Sequence, residues 1–304
     1  MSSSLNEPVL WAAQLQDIKL LHCRLTLKSC GIRWSDPLFK GNILRNMLDT
    51  HLRTLDPLAH GILRKVGPKG GVPYVLSPPI GSDGHYIDGR EFHVDLTLVG
   101  DEAISHVDAC IGAIEKTGLD GVGKKTELGH FSLIKVEAVT PEGNLEIQGA
   151  GRHRGIITAE DIAMPWRTRT AHRLLLNFVT PLALQKDGKI ILDAQLLTFG
   201  ILCEKLLSRI ARFTCQSEEN KHEKVRLMDM AQSIAFDTDS LITVERTRYS
   251  ENQKSEQKMG GLMGMAICEG ELSAFLPYFA VAEYLHHGTS TTFGHGKCLF
   301  HIER

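Results

Sequence analysis

No stretch of this 304-residue sequence approaches the roughly 18 uncharged apolar residues that a membrane helix requires, and Met1 to Pro8 has neither the basic start nor the apolar run of a secretory leader. The expected location is therefore the cytoplasm, with no membrane partner. The seven cysteines, at 23, 30, 110, 203, 215, 268 and 298, include no C-x-x-C pair. Zinc-ribbon and dithiol redox chemistry are not expected, and the thiols read as buried small apolar groups in a reducing compartment. Neither sign of charge dominates, the formal net value being −2, so a polyanion must be held by local basic patches. What remains is ordinary globular material, 42% apolar and 23% charged, enough for two domains that each bury a core.

Periodicity yields the order β-α-β-β-α-β twice. Ile18 to Thr26 alternates as a strand, and Asp36-Pro37 opens a helical pattern from about Lys40 to Thr54 that Pro57 ends. Val72 to Leu76 and Glu91 to Val99 read as strands, the second with Phe92, Val94, Leu96 and Leu98 on one face. Ile104 to Thr117 reads as a helix, Gly118 to Gly129 as a glycine loop and His130 to Val139 as a strand. The second pass takes strand Arg173 to Val179, a helical region from Asp193 to Phe213 and a charged helical insert from Glu218 to Ala235. Strands Leu241 to Thr247 and Leu262 to Cys268, helix Phe275 to Leu285, another glycine loop and strand Lys297 to Ile302 complete it. The expectation is an α+β protein of two tandem ferredoxin-like βαββαβ domains with a C-terminal glycine-rich loop. They span 1–150 and 173–304, joined by a basic linker at 151–172, with a helical insert near 215–236 in the second.

The C-terminal loop is Gly288-Thr-Ser-Thr-Thr-Phe-Gly294-His295-Gly296-Lys297. Gly288, Gly294 and Gly296 let backbone N–H groups approach a ligand, and the hydroxyls at 289–292 add donors, so this loop and Lys297 are expected to meet phosphates. The linker carries Arg152, Arg154, Arg167 and Arg169, which place positive charge near a cleft between the halves. Gly118 to Lys125 matches the G-x-x-x-x-G-K of a nucleoside triphosphate loop. Position 125, however, is lysine where a magnesium-binding hydroxyl belongs, and the segment follows a helix and opens a strand, the reverse of that motif's setting. Lys124 and Lys125 remain available to polynucleotide phosphates. The adjacent His286 and His287 diverge by about 100° on a helix and have no carboxylate cluster nearby, so no metal is expected.

Arg248-Tyr249-Ser250, Gly260-Gly261-Leu262-Met263-Gly264, Gly270-Glu271-Leu272 and the 288–297 block carry a family resemblance. Thr180-Pro181-Leu182 and Phe39-Lys40-Gly41-Asn42-Ile43-Leu44-Arg45 match more weakly. Over nearly its whole length the chain resembles the CRISPR-associated endoribonucleases that cut precursor crRNA, members of the RAMP superfamily. The resemblance implies paired ferredoxin-like (RRM/RAMP) domains, no cofactor and a metal-free cut in a repeat stem-loop. The implied products are mature crRNA with 5′-hydroxyl and 2′,3′-cyclic phosphate ends, and the implied partners are that RNA and other Cas proteins of an effector complex. The alternative is a non-catalytic RAMP subunit that only binds crRNA.

RNA supplies its own nucleophile, the 2′-hydroxyl, and needs a base, an acid for the leaving oxygen and a cation near the phosphate. Histidine exchanges protons near neutrality, and arginine stabilises the developing charge. In the family a histidine on or just after the first helix commonly has this role. His51 ranks first, Arg45 second as a phosphate-binding or charge-stabilising residue and His60 third. RNA contacts are expected from Arg53, Lys124, Lys125, Arg152, Arg154, Arg167, Arg169, Arg246, Arg248, Gly288, Gly294, Gly296 and Lys297.

Overall fold

The computed structural model describes residues 15–67, 71–124, 127–147, 155–214, 218–250 and 255–303. Its N-terminal half runs β1 (Lys19–Cys30), α1 (Lys40–Leu55), α2 (Pro57–Arg64), β2 (Tyr74–Ser77), β3 (Glu91–Val99), α3 (Val107–Asp120) and β4 (Glu127–Thr140). The strands pair antiparallel in the order β2-β3-β1-β4. Period-2 alternation decides which face of β1 meets the helices: Leu21, Cys23, Leu25 and Leu27 enter the N-terminal core, while His22, Arg24 and Thr26 take the other face. Leu44, Leu48 and Leu52 recur every four residues along α1 and form its buried stripe in the same core as Ile111 and Ile114 of α3. Pro57 ends α1 and opens α2, whose first turn is capped by Asp56 accepting from the Ala59 N–H at 2.9 Å.

The second half repeats the plan. It runs β5 (Arg173–Leu182), α4 (Phe199–Ala211), α5 (Glu218–Ala231), β6 (Leu241–Ser250), β7 (Ser255–Glu269), α6 (Leu276–Leu285) and β8 (Cys298–Ile302). Its antiparallel order is β8-β5-β7-β6, the same fourth-first-third-second arrangement as the first sheet. The duplicated ferredoxin-like fold read from the sequence is therefore present. The helical insert is α5, packed through Leu227 and Ala231 into the C-terminal core. Among the described residues no helix is long and apolar enough to cross a membrane.

Three expectations need correction. Gly118 to Gly129 is not a loop: α3 continues through Gly118 to Asp120, Gly121 ends it at φ +89°, and Val122–Lys124 pairs with β4 as a hairpin. Gly118 serves packing, since a Cβ there would lie 2.2 Å from the Phe131 carbonyl oxygen. The linker is largely folded as well. Ile156–Thr158 adds to β1 at Lys19 to Leu21, and Thr158 with Asp161 forms a capping box on the short helix Ala159–Ala163. Ile157, Ile162 and Ala163 then join the core of the C-terminal half. Finally, Cys23, Cys110, Cys203, Cys268 and Cys298 are buried as expected, but Cys30 is exposed at the end of β1.

Candidate functional site

The glycine-rich loop lies in the seam between the halves, and its glycines face protein. Gly288, Gly294 and Gly296 have φ of 72°, 81° and 77°, and a Cβ on each would sit 2.5 Å from the Ala183 oxygen, 2.1 Å from Pro78 Cδ and 1.9 Å from the His287 oxygen. Gly41, in the first turn of α1, is pressed against the Phe293 carbonyl in the same way. Lys297 is buried, its Nζ 3.2 Å from Asp95 Oδ2 on β3. Of the four positions expected as RNA contacts, Gly294 and Lys297 reach across the seam to Pro78 and Asp95 as a keystone between the halves, while Gly288 and Gly296 pack against Ala183 and His287 of their own half.

The keystone is built from groups that give up solvent. Burial alone would push the Asp95 carboxyl up, but two hydrogen bonds from Arg24, at 2.8 and 3.0 Å, and the charges of His22 and Lys297 outweigh it and hold Asp95 well below the usual carboxylate range. His22 bonds Thr97 Oγ1 at 2.7 Å, packs edge-on against Tyr284 of α6, and is pushed down to about 4 chiefly by burial. His286 Nδ1 donates to the His295 carbonyl at 3.0 Å, which leaves Nε2 to accept from the Ser77 hydroxyl at 2.8 Å. Burial holds His286 neutral and pushes His287 and His295 down to about 4. His286 thus ties the loop to Ser77 across the seam, while His287 packs beside Phe178 and Phe279 of its own half.

Just outside this seam, α1 and α2 assemble a cationic rim. Arg45, Asp49 and Arg53 recur every four residues on one face of α1, and α2 folds back to add His60 and Arg64. Asp49 is the hub: Oδ1 lies 3.1 Å from His60 Nε2, Arg64 Nη1 is 3.0 Å from both carboxylate oxygens, and Arg53 Nη2 is 3.4 Å away. Burial raises the Asp49 pKa, yet the charges of Arg45, Arg64 and His60 prevail and keep it ionised below its ordinary range. Arg45 lies 4.9 Å over the Phe293 ring, and the buried Tyr74 hydroxyl bonds both Arg45 and Thr292. The rim therefore abuts the glycine loop at Thr292 and Phe293.

Of the three catalytic candidates, the structure brings Arg45 and His60 together and leaves His51 apart. His51 is six residues beyond Arg45, about 240° around the helix. Its Nε2 points at α3, 3.7 Å from Asp120 Oδ2, with the side chain 12% exposed and that nitrogen without a hydrogen-bond partner. His60, at 19% exposure, opens onto the rim. Arg53 is on the rim at 66% exposure. Arg167 is paired with Glu160 at 2.6 Å, Arg169 lies over Trp166, and Arg246 forms an ion pair with Asp36 across the seam. Lys125, Arg152 and Arg154 fall outside the described residues, and only the backbones of Lys124 and Arg248 are described.

Asp49, Arg64, Tyr74 and Lys40 were not singled out from sequence. The four-residue spacings Arg45-Asp49-Arg53 and His60-Arg64 carried a readable signal; Tyr74 and Lys40 carried none. Lys40 is 1% exposed, donates to the Gly81 carbonyl at 2.5 Å and is pushed down to about 8 by burial. It lines a cleft of about 340 Å³ between the halves, with Pro37, Pro78, Asn177 and Ile242. Among the described residues no three histidine, cysteine or carboxylate side chains converge as a metal site.

Residues 176–298 match the family model described as CRISPR-associated endoribonuclease Cas6, and residues 54–162 match a second model described as an N-terminal domain. No curated protein matches the sequence. Among solved structures, Thermus thermophilus Cas6 is 14% identical with a TM-score of 0.58, over 93% of this chain and 99% of that one. The product complex of that Cas6 gives 16% identity and 0.59, over 93% and 100%. A Cas6-RT-Cas1–Cas2 complex gives 12% and 0.63, over 94% of this chain and 29% of the longer one. At these identities the likeness is one of fold. Residues 176–298 are thus similar to the CRISPR-associated endoribonuclease Cas6 family, and the chain shares the paired ferredoxin-like fold of the solved Cas6 structures.

Proposed function

We propose that the protein cuts precursor crRNA at a repeat stem-loop without a metal ion, with the RNA lying across the α1–α2 rim and the scissile phosphate beside Arg45 and Thr292. The observation that carries this reading is the single carboxylate, Asp49, that gathers His60, Arg53 and Arg64 next to Arg45 at the edge of the glycine loop. Asp49 accepts from His60 Nε2–H and so leaves Nδ1 to exchange a proton. The neutral ring takes the proton of the 2′-hydroxyl as the 2′-oxygen bonds phosphorus. The imidazolium so formed, directly or through a water molecule, gives its proton to the 5′-oxygen as that oxygen's bond to phosphorus breaks, leaving a 2′,3′-cyclic phosphate, a 5′-hydroxyl and a neutral ring. Arg45 and Arg64 stabilise the charge that builds on the phosphoryl oxygens between these events. Arg53, Lys124 and Lys125 contribute phosphate contacts, and replacing the two lysines together lowers the salt slope of binding by about 2.

A second reading rests on Lys40, whose amine is pushed down to about 8 and is therefore another proton-exchanging group in the cleft between the halves. The test incubates purified protein with repeat RNA in EDTA, then with the same RNA bearing one 2′-deoxy sugar at the cut. Cleavage is expected to survive chelation and to stop with the deoxy sugar. Binding without cleavage in both would make the protein a crRNA-binding subunit instead. Loss of cutting in Lys40→Met but not in His60→Ala would move the proton chemistry to Lys40.

A further inference from the structure

A concavity of about 1100 Å³ lies away from the rim, at the opposite end of β8 from the glycine loop. Its walls are residues 166–170 and the end of β8, an edge strand whose other side pairs with β5. Phe300 and Trp166 pack there with ring centroids 4.7 Å apart, tilted at 56° to each other, and the Arg169 guanidinium lies 5.0 Å from the Trp166 centroid. Arg169 is exposed and has no carboxylate within ion-pair distance among the described residues, while Thr168 and Thr170 expose hydroxyls beside it. Arg173, by contrast, is neutralised by Glu269 and Glu303. A lone exposed guanidinium laid on an aromatic pile presents a flat, cationic surface with hydroxyl donors at its edge.

We infer that this groove binds unpaired ribonucleotides, a base stacking on the Arg169–Trp166–Phe300 pile and its phosphate meeting the guanidinium. Stacking needs an open base face, which a duplex hides, so the ligand is single-stranded. The inference rests on the proposed RNA function for its ligand class but not for its site. Lys297 and Glu303 lie six residues of extended chain apart, about 20 Å, so the groove is separate from the glycine loop.

The experiment measures fluorescence anisotropy of two labelled RNAs on the full-length protein: an unstructured oligonucleotide of about ten residues, a length such grooves cover, and a repeat hairpin trimmed of its flanks. Arg169→Ala and Trp166→Ala are each expected to weaken the unstructured RNA about tenfold, with Arg169→Lys intermediate because it keeps charge but loses the plane. The hairpin's affinity and its cleavage stay unchanged in all three. Arg169 is a surface residue, so its variants decide the question even where Trp166→Ala unfolds. Wild-type affinity for the unstructured RNA in Arg169→Ala, or no binding of that RNA by the wild type, overturns the inference and leaves the groove and its edge strand to an extended peptide. Failure of the hairpin to bind or be cut would instead count against the rim, leaving the groove result to stand by itself.

Discussion

Each half sends an arginine from its first helix to the same glycine-rich loop, and the two arginines live in opposite surroundings. Arg209 of α4 is buried, bonds Thr291 Oγ1 at 2.9 Å and the Leu285 carbonyl at 3.3 Å, and is pushed down to about 10 by burial. Arg45 of α1 lies on Phe293 at the loop's outer edge, beside the ion cluster of Asp49. The helices that carry them differ in the same sense. α4 buries Phe199, Leu202, Cys203, Leu206, Leu207 and Ile210, whereas α1 buries the single stripe Leu44, Leu48 and Leu52 and gives its other face to charge. Duplication has thus kept the core plan in both halves, with the C-terminal copy supplying the keystone and the N-terminal copy a surface able to meet a polyanion.

The comparison is broken most forcefully by acid. His22 and His295 in the seam, and His287 in the adjoining core of the C-terminal half, have folded values near 4, against an unfolded value of about 6.5. Between those values the unfolded chain binds the extra protons, so their contribution is fully present above pH 6.5 and is lost as pH falls toward 4. The slope is about 1.4 kcal/mol per pH unit for each histidine, and the three together remove about 10 kcal/mol across the window. Chemical-denaturation curves at stepped pH are expected to show stability collapsing in this range, before most carboxylates titrate. A flat profile from pH 6.5 to 5 would mean that water enters the seam.

The next largest effect separates the two histidines of the N-terminal half. His60→Ala is expected to slow cleavage by about 10² to 10⁴ while hairpin affinity changes little, and His51→Ala to change the rate only a few-fold. Single-turnover kinetics with saturating protein reads this without interference from binding. Equal losses in both variants would remove the Asp49–His60 pair from the chemistry.

After these comes the buried pair across the seam. Asp95→Ala strands Lys297 and Arg24 beside a site closed to solvent and is expected to cost about 3 to 5 kcal/mol, measured by denaturant unfolding. Replacing Lys297 by Met in the same chain restores part of that loss, because no lysine charge is then left unpaired there. No restoration would show that Arg24 alone sets the penalty.

Much of this architecture could be read from the chain before its coordinates. β3 spans Glu91–Val99 as its alternation predicts, since Phe92, Val94, Leu96 and Leu98 form one apolar face, and α1 begins at Lys40 where the periodic leucines require. Segments in which local chemistry is ambiguous were illegible. Gly118 inside α3 resembles a loop glycine because the reason for it, the Phe131 carbonyl, lies on another element. The short strand and helix at 156–163 are below the length at which periodicity registers. In the site, the contact on which the proposal for His60 rests was hidden, because Asp49 and His60 meet only after Pro57 turns α2 back along α1, a fold-level event across 11 residues of sequence.

The smallest effect returns to the two arginines. Arg45→Met removes one half-buried cation whose Nε has no hydrogen-bond partner and leaves Tyr74 and Thr292 their bond to each other, so stability should move by less than about 1 kcal/mol while the salt slope of hairpin binding falls by about 1. Arg209→Met does the reverse. It leaves the Leu285 carbonyl and the Thr291 hydroxyl without their donor in a buried site and is expected to cost about 1 to 3 kcal/mol, with the salt slope unchanged. Measuring both quantities on both variants places each arginine on one axis only. A slope change in Arg209→Met with stability intact would mean that the keystone loop itself meets the RNA, and the division of labour between the halves would have to be redrawn.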